Sequence, residues 1–534
     1  MAATVVQAGS GLKMINESGA VTDLVLPAGI VLRTDVKPRW CVSNNYLVLV
    51  NTPSEPLIID ATGKVRILSP KAPRLAPVMS AVAGGTLSGV YAGVRYTFRT
   101  RDANGNIISE SDYSPAGNSQ AVAAQFLKAA NLDLSPDEIT ERVLYRPTSG
   151  GSVLFQWVTL DGNIQTVIQD DLSDAGLSLF GAPILGTPPH LTMIAEFRGR
   201  LWGVGDIDVD HVRYTEAGVQ YAWPSDNLIA VPQVGSDIFG VTGLAARREA
   251  LGIGRRNMLL QVTGSGAEDA DGIPDFDMVI LSKELGIESQ ESVCIFRDTA
   301  YFLWKDGVYA WNSEGIKCVS DGKPDGRGSV RAWFATDSYF NRDKFSVAFA
   351  HVDKNRPVYR LFLCSAGSTT IDSWVELDLN EGTWWGPHST ALFTPISAFN
   401  RSDATDRNIP LIGTDAYVYQ DKNTRTDGAA TAITFDVIGK RHDMQDPDVE
   451  KYFGELSLLG EAQSGGLLTV KTRAGNLNAT QAITQYWDMR KNRQKIGRAG
   501  RGKHMQVELI NAEVGRDIQL FGYEVDPVNL IGRR

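Results

Sequence analysis

The chain is poor in cysteine. Its 534 residues hold four, Cys41, Cys294, Cys318 and Cys364, far apart and at no metal-ligand spacing. That excludes a C-x-x-C redox pair and a thiolate-bound structural zinc. Histidine is as sparse, and His190, His211, His351, His388, His442 and His504 never pair at i, i+3 or i+4, so no helical zinc motif exists. No G-x-S-x-G elbow or P-loop appears. No run is long and apolar enough to span a bilayer, and long amphipathic helical patterns are missing too. The opening MAATVVQAGSGLKM lacks a basic region followed by an apolar run, so no secretory signal is expected. Scattered cysteines without such a signal favour synthesis in a reducing compartment. An excess of positive charge is also absent: the net charge is −10. A chain of that sign does not clamp DNA through its whole surface, although it can surround DNA without gripping it.

What is present points to strands. Hydrophobic residues make up 43% and charged ones 21%, ordinary for a globular protein, with 52 glycines and 23 prolines to punctuate short segments. The stretch Phe197 to Trp223 sets the pattern. Arg198-Gly199-Arg200 turns into Leu201-Trp202, a second strand runs through Val212, Arg213 and Tyr214, Gly218 breaks it, and Trp223-Pro224 closes it. A polar turn followed by an apolar, often aromatic strand recurs at Tyr46, Leu201, Leu251, Tyr301, Tyr359 and Leu411. From Leu201 the steps are 50, 50, 58 and 52 residues. A period near 50 built of short strands is the signature of β-propeller blades.

The long first step has its own explanation. Residues 1–74 hold short strands around Trp40, Tyr46, Leu57 and Lys64, with Asp60-Ala61-Thr62-Gly63 as a hairpin turn, and read as the first blade. Residues 75–188 break the rhythm. Gly89 to Arg101 alternates, with Tyr91, Val94, Tyr96 and Phe98 inward, and a hairpin follows around Gly150-Gly151. This spacing suggests an inserted immunoglobulin- or fibronectin-like sandwich. Removing roughly 110 residues leaves a first step of about 40, within the range of one blade. Ser135-Pro136-Asp137-Glu138 offers an N-cap and first-turn proline for one short helical turn. Residues 189–430 supply the remaining blades, about six in all. Residues 431–534 form a C-terminal β domain, one strand of which is a candidate to complete the propeller. Its expected strands are Ile433–Ile438, Tyr452–Leu459, Leu467–Thr472, Met505–Ile510 and Asp517–Val525. The fold class is therefore all-β.

Candidate chemistry is thin. Asp206, Asp208 and Asp210 could chelate a hard cation from a loop, but calcium takes six or more oxygens and no glutamate completes the set. Glu268-Asp269-Ala270-Asp271-Gly272, with Asp275 and Asp277, begins like a calcium loop and lacks the closing glutamate. On a strand the three aspartates merely share one solvated face, and the second acidic stretch is expected to be a solvated blade tip. Thr215 to Trp223 only distantly echoes the S-x-D-x-G-x-T-W turn of sialidase-class propellers, and the spacing to Trp differs. Trp304, Trp311, Trp384 and Trp385 read as blade-packing aromatics before they read as a sugar platform. With no catalytic constellation to build on, the chain is expected not to be an enzyme and to need no cofactor or metal. One charge cluster stands out. Arg490, Lys491, Arg493, Lys495, Arg498, Arg501 and Lys503 crowd a glycine-rich stretch expected to be a loop. It is either a contact with a neighbouring subunit, an acidic partner or phosphate, or a solvated hairpin tip.

Taken in order, these segments resemble the tail nozzle proteins (tail hub, or packaged-DNA stabilisation proteins) of short-tailed bacteriophages. The residues that carry the resemblance are Arg198 to Trp202 with Arg213 to Trp223, Gly286 to Ser289, and Trp304 to Tyr309. Trp374 to Asp378 with Trp384, and Gly413 to Tyr419, extend it. Tyr96, Gly105, Ser109 to Ser111 and Leu144 to Arg146 of the inserted sandwich fit as well. The resemblance implies a structural virion protein made in the bacterial cytoplasm. It implies a hexameric ring below the head-to-tail adaptor that extends the DNA channel, helps retain packaged DNA and carries a distal needle, spike or fibres. Double-stranded DNA is expected to pass the lumen without sequence-specific binding and without membrane insertion. The alternative is a propeller that binds or cleaves glycans in a receptor-binding tail protein.

Overall fold

The computed structural model describes residues 4–530 apart from 52, 179, 234–238, 268–273, 323–328, 390–393, 403–407, 416, 421–425, 428–430, 433–434, 439–448, 461, 463–465, 476–481 and 512–519. The chain divides into two compact units, 1–420 and 421–534. The first is a β-propeller. Six antiparallel sheets begin with the strands Arg39–Ser43, Leu191–Phe197, Gly243–Ala246, Cys294–Phe296, Phe349–Asp353 and Pro395–Ser402. Each of these packs beside the next, so they are the inner strands around the axis. The first five sheets have four strands and the sixth has three.

The recurring sequence anchors all fall at one place in the blade. Tyr46, Leu201, Leu251, Tyr301, Tyr359 and Leu411 lie on the second strands Tyr46–Val50, Arg200–Gly205, Leu251–Arg255, Thr299–Trp304, Val358–Leu363 and Asn408–Thr414. The polar turn before each is a hairpin. In blades one, two and four it has two residues, Asn44-Asn45, Arg198-Gly199 and Arg297-Asp298, all with φ between 47° and 69°. Positive φ at both central positions matches the twist of the flanking strands. Neighbouring turns also hold one another: the Asp298 carboxylate accepts from Arg248 N at 2.8 Å and from Arg247 Nη2 at 2.9 Å, tying the fourth blade's turn to the third's.

Arg200 shows why the R-G-R-L-W strand is built as it is. Only 1% exposed, it donates to the Thr215 carbonyl at 2.8 Å and to the Gly266 carbonyl of the third blade at 3.1 Å. Its guanidinium also lies against the rings of Tyr214 and Phe276. One buried cation thus satisfies two backbone acceptors and closes the seam between blades. Apolar clusters fill the seams on either side, one of them joining Trp202, Val212 and Tyr214 to Leu251, Ile253 and Leu260.

A further three-stranded sheet, Thr4–Ala8, Gly11–Ile15 and Val21–Leu24, precedes the first blade. It packs on that blade through Leu12, Leu49, Leu57 and Ile59, and the Asn16 carbonyl accepts from Arg401 of the sixth at 3.1 Å. It therefore occupies the seam between last and first blades. The sequence reading missed it.

Between the first and second blades stand the two sheets of a seven-stranded sandwich. The strands Ile107–Glu110, Arg95–Arg101, Glu141–Arg146 and Phe155–Asp161 pair in that order, and Ile168–Asp170, Gln120–Ala130 and Val78–Tyr91 form the second sheet. Tyr91, Val94, Tyr96 and Phe98 are in its core, none more than 1% exposed. The short helical turn expected at Ser135 does not form. The Ser135 carbonyl accepts from Asn163 Nδ2 at 2.8 Å, and the Ser135 hydroxyl accepts from Asp137 N at 3.1 Å. Local side-chain bonds win there over the helix. Among the described residues the one α-helix is the five-residue Arg331–Ala335.

The second unit is another sandwich. One sheet orders Phe435–Ile438, His504–Asn511, Leu467–Gly475 and Ala482–Asp488, and the other Arg493–Gly502, Lys451–Gly460 and Leu520–Leu530. Phe453, Leu456, Leu468, Val470, Trp487 and Met505 fill the space between.

Candidate functional site

Three places in the described residues gather polar groups in a way that packing alone does not require. The first is the propeller axis. The segment from Lys37 to Arg39 belongs to the first blade, yet Arg39 Nε is 2.6 Å from Glu291 Oε1 in the strap before the fourth blade. Arg39 also donates to the Thr192 carbonyl of the second blade. Lys37 Nζ donates to the Val347 carbonyl at 3.3 Å and sits 4.9 Å from the Phe349 ring centroid of the fifth. A segment that reaches blades two, four and five at once lies across the axis. Burial lowers the Lys37 ammonium below its ordinary range, and opposes ionisation of Glu291, whose carboxyl is nevertheless held below the usual value by the charge and hydrogen bond of Arg39.

The second is the basic stretch near the C-terminus. It is not a loop: Arg493–Gly502 is a strand, paired to Lys451–Gly460. Its glycines are what made it read as a loop, and they are there for close packing. A side chain at Gly500 would lie 2.7 Å from Ala474 Cβ, and one at Gly502 would lie 2.1 Å from Gly475 N in the facing sheet. Four of the seven cations have a carboxylate partner along the surface. Arg490 bonds Asp488, Arg493 Glu524 at 2.6 Å, Lys495 Glu455 at 2.6 Å, and Arg501 Glu450 at 3.0 Å. Lys491 N donates to the Asp488 carbonyl at 3.1 Å in the preceding turn, and Lys503 N to the Gly475 carbonyl at 3.2 Å in the following one. Arg498 stands opposite Glu455 in the register.

The third was not visible in the sequence. A cavity of about 320 Å³ opens on the propeller face that carries the blade-to-blade connections. Arg256 and Lys305 reach it from the turns after the second strands of blades three and four, and Glu288, Asp337, Arg342 and Asp343 from the connections into blades four and five. The frame is fixed: Trp304 Nε1 donates to the Arg256 carbonyl at 2.8 Å, Lys305 Nζ to Asn257 Oδ1 at 2.5 Å, and Arg342 Nη2 to the Lys305 carbonyl at 3.2 Å. Arg256 lies 3.7 Å from the Phe239 ring centroid and 3.8 Å from a Glu288 oxygen. The Nε atoms of Arg256 and Arg342 are buried without a hydrogen-bond partner.

The other sequence candidates separate. Asp206, Asp208 and Asp210 sit in the turn between Arg200–Gly205 and His211–Tyr214, and Asp208 and Asp210 point to different partners. Asp208 bonds His211 at 2.5 Å, whereas Asp210 accepts from Gln233 at 2.8 Å and pairs with Arg255. Glu268 to Gly272 lies outside the described residues. Asp275 accepts from the Ser265 hydroxyl at 3.0 Å. Trp311 is 1% exposed, and Trp304 and Trp384 pack within blade cores, but Trp385 is 59% exposed and is no packing residue.

No family model and no curated protein matches the chain. Several solved structures do. PorZ, a surface component of the type-IX secretion system of Porphyromonas gingivalis, matches at 9% identity over 99% of this chain and 75% of its own, with a TM-score of 0.27. An exo-β-1,3-galactanase of Phanerochaete chrysosporium matches at 9% identity over 63% and 94%, with a TM-score of 0.22. A structure described as a glycoside hydrolase matches at 10% over 62% and 96%, with a TM-score of 0.20. Glycoside hydrolases are among the matches, which runs against the expectation that the chain is no enzyme. At these scores the likeness assigns chemistry to no residue.

Proposed function

We propose that the chain is a structural virion protein of the tail nozzle type. What supports the reading is the order of parts: a six-bladed propeller, a sandwich inserted between its first and second blades, and a separate C-terminal sandwich. That order fits what the resemblance of the motifs implies. One observation sharpens it. Because Lys37, Arg39 and Glu291 meet across the propeller axis, a duplex has no route through a single subunit. In this reading the DNA path is enclosed by copies around a rotation axis, as a closed cyclic assembly allows. The ring is a hexamer seated on the head-to-tail adaptor and carrying a needle, spike or fibres. A net charge of −10 per subunit keeps the sliding duplex from adhering. The protein would then reside in the phage tail after synthesis in the bacterial cytoplasm.

The test is native mass spectrometry and negative-stain imaging of the full chain, alone and with a purified adaptor ring. A six-fold ring forming on the adaptor, with an open centre between subunits, is the expected result. A stable monomer or trimer that ignores the adaptor overturns the reading.

A further inference from the structure

The cavity over blades three to five belongs to no part of that reading, and its wall has a definite chemistry. Three cations, Arg256, Lys305 and Arg342, face three carboxylates, Glu288, Asp337 and Asp343. A wall with six ionisable groups rejects an apolar ligand, since burying any of them against carbon forfeits its hydration. A bare anion such as phosphate would meet the cations but also three carboxylates of its own sign. A bare cation meets the reverse. A neutral sugar offers hydroxyls to the carboxylates but gives the guanidinium forks no charged partner.

We propose that this cavity binds a sugar bearing one anionic group, a hexuronate being the simplest case. Its carboxylate engages the guanidinium groups of Arg256 and Arg342; Arg342 Nε is buried without a hydrogen-bond partner, and Arg256 Nε has only the 3.8 Å ion pair with Glu288. Forked N–H donors suit a planar carboxylate, and such charge-assisted bonds are stronger than neutral ones. The sugar hydroxyls donate to Asp337 and Asp343 and accept from Lys305, the two-way bonding that a hydroxyl provides. A volume of about 320 Å³ is at the small end of ligand pockets, room for a monosaccharide and ordered water. The stacking of Arg256 on Phe239 and the hold of Arg342 on the Lys305 carbonyl keep both forks in place before the ligand arrives. This site stands whether or not the chain assembles into a ring.

The experiment is ligand-observed NMR and calorimetry on the full chain with D-glucuronate, D-galacturonate, D-glucose and inorganic phosphate. Saturable binding of at least one uronate is expected, about tenfold tighter than glucose, the loss that goes with one charge-assisted bond. Arg342→Gln should weaken the uronate by about tenfold or more on the same grounds. Asp343→Asn alters an exposed side chain and serves as the variant that folds regardless; it should weaken uronate, which loses a hydroxyl acceptor, and strengthen phosphate, which loses a repelling charge. Absence of saturable uronate binding overturns the proposal. So does glucose binding as tightly as uronate, or phosphate matching uronate with Asp343→Asn without effect, which would mark a plain anion site.

Discussion

Arg39 and Glu291, 252 residues apart in sequence, form a 2.6 Å ion pair that joins the first blade to the strap entering the fourth. Their side chains are 27% and 21% exposed, so the pair is largely removed from water. Removing one partner leaves the other charge uncompensated in that setting, which costs more than the pair contributes as a unit. Arg39→Ala is expected to destabilise the first unit by about 1–3 kcal/mol, less than a fully buried pair because some solvent remains. The pH dependence carries the sign. Glu291 titrates below its ordinary value, so its stabilisation is complete above the unfolded carboxyl pKa and is lost as pH falls through the lower, folded one. Glu291→Gln should therefore flatten the acid limb of stability, checked by urea unfolding of both proteins between about pH 3 and 7, a window that spans the glutamate range. An unchanged acid limb would show that the pair does not tie the blades.

A second charged cluster holds the inserted sandwich. Arg99 Nε bonds Glu110 Oε2 at 2.9 Å, Arg99 Nη2 bonds the Tyr145 hydroxyl at 2.6 Å, and Tyr145 donates to Glu110 Oε1 at 2.9 Å. Glu110 is 1% exposed. Every member has partners, and such a network is costly to break at one point. Glu110→Ala should cost about 3–5 kcal/mol, and Tyr145→Phe about 1–2 kcal/mol. Hydrogen exchange read over residues 95–101 and 141–146 is the measurement, because it reports on the sandwich alone. Equal protection in both variants would refute it.

How much of this was legible in sequence depends on distance along the chain. The second-strand anchors Tyr46 to Leu411 were readable because each is set by its own hairpin, whose turn residues are local. Tyr96 and Phe98 were readable because alternation is local too. Arg493–Gly502 was misread because its glycines answer to Ala474 and Gly475 on a facing sheet, which no window along the chain contains. Arg39 with Glu291, and Arg256 with Arg342, are pairings made by closing a ring of blades, so no sequence period announces them. The sheet Thr4 to Leu24 lacks the anchor motif and was missed for that reason.

The cysteines supply a chemical check on the packing. All four are free. Burial pushes the thiols of Cys41 and Cys294 up to about 12, and raises those of Cys318 and Cys364 as well. Only the thiolate reacts with disulfide reagents, and a thiol with a pKa near 12 is almost wholly protonated at pH 8. Cys41 and Cys294 should therefore react with an aromatic disulfide far more slowly in the native chain than in urea. Rapid native labelling of either, located by peptide mapping, would contradict the packed inner strands.

The basic strand yields the last prediction, and it separates fold from contact. Gly502→Val puts a side chain where the Gly475 backbone lies, so it should lower the stability of the second unit by more than about 3 kcal/mol, as other severe overpacking does. Arg493 and Lys495 differ: they are 61% and 70% exposed, and their bonds to Glu524 and Glu455 are surface pairs. Exposed pairs contribute about 0–1 kcal/mol, so these cations can exchange an internal carboxylate for one on a partner at little cost. Arg493→Glu with Lys495→Glu should leave the melting curve of the second unit nearly in place. In the ring-assembly assay the same double variant should weaken association, with a loss that shrinks as salt is raised, since the attraction being reversed is screened. If association is unaffected at low salt while Gly502→Val unfolds the unit, the strand and its charges serve the sandwich alone.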